Sequence, residues 1–105
     1  MKTLWLTLLL GAIPTQGFPA DSTQKLVDQY GCMACHGLVH KQVGPGFAQI
    51  AARYAADPKA ADYLAGRVRN GAVGNWGRVI MPRQARMSEA ESLVLARWVL
   101  SQPVR

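Results

Sequence analysis

Cys32, Cys35 and His36 fall within the pentapeptide CMACH, and the chain has no other cysteine. A C-x-x-C pair serves four chemistries: a zinc site, a redox disulfide, an iron–sulfur cluster and covalent attachment of haem. A structural zinc site takes four ligands in a tetrahedron. Cys32, Cys35, His36 and His40 crowd too closely along the chain to form one. An iron–sulfur cluster draws on four cysteines, and a thioredoxin-like disulfide sits in a βαβ setting that the sequence does not show. C-x-x-C followed directly by His is the attachment signature of c-type haem. On a helical turn the three residues are related as i, i+3 and i+4 and project from one face. Both thiols can then bond the vinyl groups of one haem while the His36 imidazole reaches the iron from the same side.

His36 as one axial ligand leaves the opposite position, for which the chain offers His40, Met33, Met81, Met87, lysines or nothing. Met33 lies inside the motif and His40 follows it by four residues, so both stay on the histidine's side. Met81 precedes Pro82. A residue before proline is pushed toward extended backbone and the proline stiffens the chain after it, which holds a thioether out from a loop at a fixed angle. Met87 is the second choice; it stands just before SEAE, where a hydrophobic staple residue belongs.

The elements that must position these groups read as helices. The first runs over about residues 22–30, capped by Asp21 or Ser22, and can continue through the cysteine motif. The second spans about residues 47–55, with Phe47, Ile50, Ala51 and Tyr54 as its apolar stripe. The third starts with Asp57 as N-cap and Pro58 in the first turn, buries Ala61, Leu64, Ala65 and Val68, and stops at Asn70–Gly71. The last begins with a Ser88/Glu91 capping box and runs to about Leu100, turning Leu93, Ala96, Val99 and Leu100 inward with Trp98 half-buried. Residues 71–87 show neither a helical nor a strand period, and a loop of that length in a small domain is usually functional. With no strand-like alternation anywhere, the class is all-α.

Length bounds the chain to one domain of 105 residues. Residues 1–17 read as a secretory signal peptide, with Lys2 ahead of an apolar run at 4–13 and cleavage near 17–20. That run is too short to cross a bilayer, which takes about 20 residues. Residues 18–105 then form the functional domain. So small a domain buries little surface, and a bound cofactor can complete its core. The formal charge of +6 and pI near 9.9 come from basic residues scattered singly. This pattern favours an acidic protein partner over nucleic acid.

CMACH, VGPGF, RVRNG, NWG, IMP and LARWVLSQ together resemble the small bacterial class I cytochromes c. The likeness is to the short periplasmic monohaem type that donates electrons to nitrite reductase or a terminal oxidase. It spans about residues 24–102 and implies about four helices wrapped around one covalently bound haem c with one edge exposed. It also implies His36 and Met81 as axial iron ligands and Cys32 and Cys35 as thioethers. By the same resemblance Pro45 supplies the carbonyl that accepts from the second nitrogen of His36, and Trp76 and Arg67 donate to a haem propionate. The sequence departs from the family in having Ile80 where a proline often precedes the methionine, Gln84 in place of Asn three residues after it, and one extra residue before Ser88. Whether Gln84 bonds the Met81 sulfur therefore stays open.

The function implied is not enzymatic: a periplasmic, monomeric respiratory carrier of one electron between redox proteins with acidic docking surfaces. Val43 and Ile80 are the candidate apolar docking patch, rimmed by Lys41, Arg78, Arg83 and Arg86. Two alternatives are a haem subunit tethered to a membrane complex by an uncleaved leader, and an open-site haem enzyme or gas sensor. The second needs acid–base groups opposite His36, and the spare histidine, His40, is on the wrong side.

Overall fold

The computed structural model describes residues 20–103; the proposed leader and its cleavage point lie outside them. Four α-helices dominate: α1 (Ala20–Gln29), α2 (Phe47–Tyr54), α3 (Ala60–Asn70) and α4 (Glu89–Leu100). α4 packs against each of the other three. Leu26 and Val27 of α1, Leu95 of α4 and Met87 form the buried cluster, with Tyr30, Cys32, Val68, Val94 and Trp98 packed around it.

α1 starts at Ala20, so Asp21 and Ser22 lie inside it rather than cap it. Nor does it run on through the cysteines. Gly31 takes a left-handed conformation (φ 66°) and breaks the helix, and a separate 3₁₀ turn, Cys32–Ala34, follows. α3 begins two residues later than its proline signal implies. Asp57 does accept the Lys59 N–H at 2.8 Å, but the bond from Ala60 N to Asp57 O closes a tight turn, and the regular helix starts after it.

The Ser88/Glu91 capping box opens α4 as the sequence reads. Ser88 Oγ accepts the Glu91 N–H at 3.1 Å and Glu91 Oε1 accepts the Ser88 N–H at 3.0 Å. The inward face is different: Ser92, Leu95 and Ala96 are buried, while Leu93, Val99 and Leu100 are half-buried. This helix is apolar around most of its circumference, so spacing alone does not single out one stripe. Buried Ser92 satisfies its hydroxyl by donating to Glu89 O at 2.7 Å. Since the residue one turn into α4 is this serine, Met87 does not staple the helix start and packs into the cluster with Leu26, Val27 and Leu95.

The expectation of no strands needs a local correction. Within residues 71–87, β1 (Ala72–Gly74) and β2 (Gly77–Met81) pair antiparallel, with Ala72 opposite Met81 and Gly74 opposite Gly77. Gly74 and Gly77 have φ of 93° and 95° and bracket the Asn75–Trp76 turn. Nearly every residue of both strands is exposed. Without a buried face there is no alternation for a sequence to display.

Candidate haem site

The CMACH turn is helical where it matters: His36 N and Cys35 N both donate to Cys32 O, at 3.0 and 3.2 Å. Cys32 is half-buried, and burial pushes its thiol pKa up; Cys35 is exposed, and neither is in a disulfide. His36 Nδ1 lies 2.7 Å from Pro45 O. A carbonyl only accepts, so Nδ1 carries the proton and Nε2 keeps its lone pair for a ligand.

The loop after the motif folds back to make this contact. Val43 N and Gly44 N donate to Cys35 O, Phe47 N to Gly37 O and Ala48 N to Leu38 O, all within 3.0 Å. Gly44 lies against the imidazole: a Cβ there would stand 2.9 Å from His36 Cε1. Phe47, the first residue of α2, stacks on His36 with centroids 4.9 Å apart and planes at 17°, and Trp98 meets Phe47 edge-on at 5.1 Å.

Beside His36 opens an apolar cleft of about 1320 Å³ including its mouth. Cys32, Cys35, His36, Pro45, Arg67, Trp76 and Met81 all line it. The structure thus brings together every site residue read from the sequence. His40 and Met33 are not in the lining; both are exposed. Met87 borders the cleft but is committed to the core. Met81 is the last residue of β2, and Gln84 donates its amide to Pro82 O at 3.3 Å rather than to the methionine sulfur. Arg67 is half-buried, and among the described residues it makes no ion pair.

Two further residues, Tyr63 in the cleft lining and Arg53 just outside it, carry no sequence signal. Arg53 donates to Asn75 O at 2.7 Å and places its guanidinium 4.6 Å from the Trp76 ring centroid. The Asn75 amide donates to Tyr63 Oη at 2.7 Å. These contacts join helices to a hairpin turn, and no local spacing encodes them.

Two free thiols, an imidazole with its second nitrogen anchored, and a thioether around an apolar cleft fit a covalently attached haem. Among the described residues no group of three His, Cys, Asp or Glu side chains is placed to hold a bare metal ion.

This fold and donor set define a haem-bearing electron carrier of the class I cytochrome c type. The chain belongs to the cytochrome c family, which it matches over residues 20–103. More narrowly, it is a small bacterial class I cytochrome c carrying covalently attached haem c. It is 48% identical over 80 residues to cytochrome c-552 of Hydrogenobacter thermophilus, covering 76% of this chain and 81% of that one. It is 41% identical over 104 residues to cytochrome c-551 of Pseudomonas aeruginosa, covering 97% and 99%. The crystal structure of wild-type Nitrosomonas europaea cytochrome c552 superposes with a TM-score of 0.73 at 40% identity, covering 76% of this chain and 99% of that one.

Proposed function

We propose that this electron carrier works in the periplasm, passing one electron at a time between redox proteins, and that Cys32 and Cys35 would hold the haem as thioethers while His36 and Met81 would ligate its iron. The observation that carries the reading is the pairing of a Pro45-anchored imidazole and the Met81 thioether around the same apolar cleft. Haem c supplies the one-electron couple when bound. Pro45 orients the His36 ring and makes its free nitrogen a better donor. The soft Met81 sulfur favours the reduced state and raises the potential. Arg67 and Trp76 would be the donors to the haem carboxylates, which are costly to desolvate without partners.

Val43 and Ile80 are apolar residues of the cleft lining, and an apolar docking patch at the haem edge would include them. Lys41, Arg78, Arg83 and Arg86 are all exposed and serve as its basic rim. Association with an acidic partner then weakens as salt rises. Residues 1–17 are the export signal, and the carrier is monomeric. Among the described residues no helix is long and apolar enough to cross a membrane.

The test is the visible spectrum and redox titration of Met81→Ala beside the parent protein. The substitution removes the sulfur–iron charge-transfer band and lowers the potential; an unchanged band strikes Met81 from the ligand set. Carbon monoxide leaves the ferrous parent spectrum unchanged, and a shifted spectrum would mean an open iron. The intact mass of exported protein reads the leader: the mature chain starts between residues 18 and 21.

A further inference from the structure

Trp76 sits on a two-residue turn between glycines of positive φ, at the end of a hairpin whose strands are almost wholly exposed. Nothing in that hairpin alone fixes the indole against the cleft. We infer that Arg53 is the positioning residue for Trp76, locking the hairpin turn from behind so that the indole faces the haem carboxylates. The inference rests on the donor role proposed above for Trp76 and adds the residue that enforces it.

Arg53 lies in the last turn of α2 and is itself exposed, outside the cleft lining. It grips the turn twice, with a 2.7 Å bond to the Asn75 carbonyl and a guanidinium stacked 4.6 Å from the Trp76 centroid. Asn75 is held from its other end by Tyr63 of α3 at 2.7 Å. Tyr63 in turn lies 5.8 Å from the guanidinium carbon of Arg67, the second proposed carboxylate donor. Both proposed donors are therefore backed by one bracket: Arg53 behind Trp76, Tyr63 beside Arg67, and Asn75 bridging them. α2 also begins with Phe47, which stacks on His36. A single helix thus supports the imidazole at its first residue and the indole through its last turn. The planar guanidinium is suited to this double task, because it stacks and donates at once, where an ammonium is a point charge.

A hydrogen bond to a carbonyl and an exposed cation–π stack together correspond to about tenfold in a local opening equilibrium. The experiment uses the assembled haem protein and compares Arg53→Gln and Arg53→Lys with the parent. Two readouts are followed: hydrogen exchange of the Trp76 indole N–H by NMR, and the pH dependence of the reduction potential. Arg53→Gln is expected to speed indole exchange about tenfold. It also lowers the potential and moves its pH-dependent step upward, because a less well-paired carboxylate holds its proton more tightly and, once ionised, carries a less compensated charge that favours the more positive iron. Arg53→Lys falls between on both readouts.

Unchanged indole exchange in Arg53→Gln overturns the inference. So does a potential fully restored in Arg53→Lys while exchange stays fast, since that pattern marks a bare charge effect. Trp76→Phe separates the underlying reading. If it leaves the potential and its pH step untouched, the donor role of Trp76 fails and the inference fails with it. If it moves both while the Arg53 variants move neither, only the positioning role is lost.

Discussion

On the histidine side of the cleft, four backbone hydrogen bonds stitch residues 43–48 to the chain at Cys35, Gly37 and Leu38. A fifth contact, from His36 to Pro45, closes the loop. The methionine side is a short strand pair of three and five residues, with Ala72 opposite Met81 and Gly74 opposite Gly77. One wall is over-determined by the backbone; the other hangs from side chains such as Arg53 and Tyr63 on neighbouring helices. Substitutions on the first should therefore register mainly as lost stability. On the second they should register mainly as altered redox and docking behaviour.

Gly46 is the hardest test of the first wall. A Cβ there would overlap the Val39 carbonyl, and backbone has little room to yield. Gly46→Ala should cost about 3 kcal/mol, lowering the melting temperature of the haem protein by at least about 12 °C. Calorimetry that finds a loss no larger than for a hairpin substitution would erase the contrast between the walls.

Gly44 and Gly74 make a matched pair. At Gly44 the added methyl meets the His36 ring at 2.9 Å; at Gly74 nothing lies within 4 Å, but φ is 93°. Gly44→Ala should cost about 2 kcal/mol and displace the imidazole NMR signals. Gly74→Ala should cost about 1 kcal/mol, from backbone strain alone, and leave those signals in place. Reversed signatures would show that the histidine wall yields more readily than its hydrogen bonds imply.

A smaller effect lies where the end of α1 meets the start of α4. Glu91 Oε1 accepts from Ser88 N and from Tyr30 Oη, both at 3.0 Å, and these bonds, the backbone one first, hold its carboxyl below the usual value of 4.5. The folded pKa is depressed, so its stabilisation is fully present above pH 4.5 and fades as pH falls through the folded value. Glu91→Gln should flatten that acid limb in a pH series of denaturant titrations, and an unaltered limb would assign the acid sensitivity elsewhere. Smallest in stability are Arg78→Gln and Arg86→Gln, exposed and outside the cleft lining, within about 0.5 kcal/mol of the parent. They should nevertheless slow electron exchange with an acidic redox partner in stopped-flow traces, and unchanged rates would move the basic rim off this face.

The same division governs what could be read from the sequence. CMACH, Met81–Pro82 and the Ser88/Glu91 box announce themselves because their chemistry is local: spacing, a stiff dipeptide, a reciprocal cap. The apolar stripe of α2 is legible for the same reason, since Phe47, Ile50 and Ala51 are all buried. The hairpin is invisible because neither strand buries a face. Leu95 is overlooked because α4 is apolar almost all round, so packing, not periodicity, chooses its buried side. Arg53 reads as an ordinary helix-end cation; only the folded chain brings it against Trp76, 23 positions later by number.

Gly31 has a further consequence for how the molecule is put together. Its left-handed kink separates α1 from the cysteine turn. Cys32 packs on the same cluster as Leu26 and Val27, so the bend lets one short stretch of chain press on the core with its helix and still present both thiols to the cleft. Gly31→Ala would meet open space but would have to hold a backbone angle that only glycine adopts freely, and its cost would fall on the angle between α1 and the thiol-bearing turn.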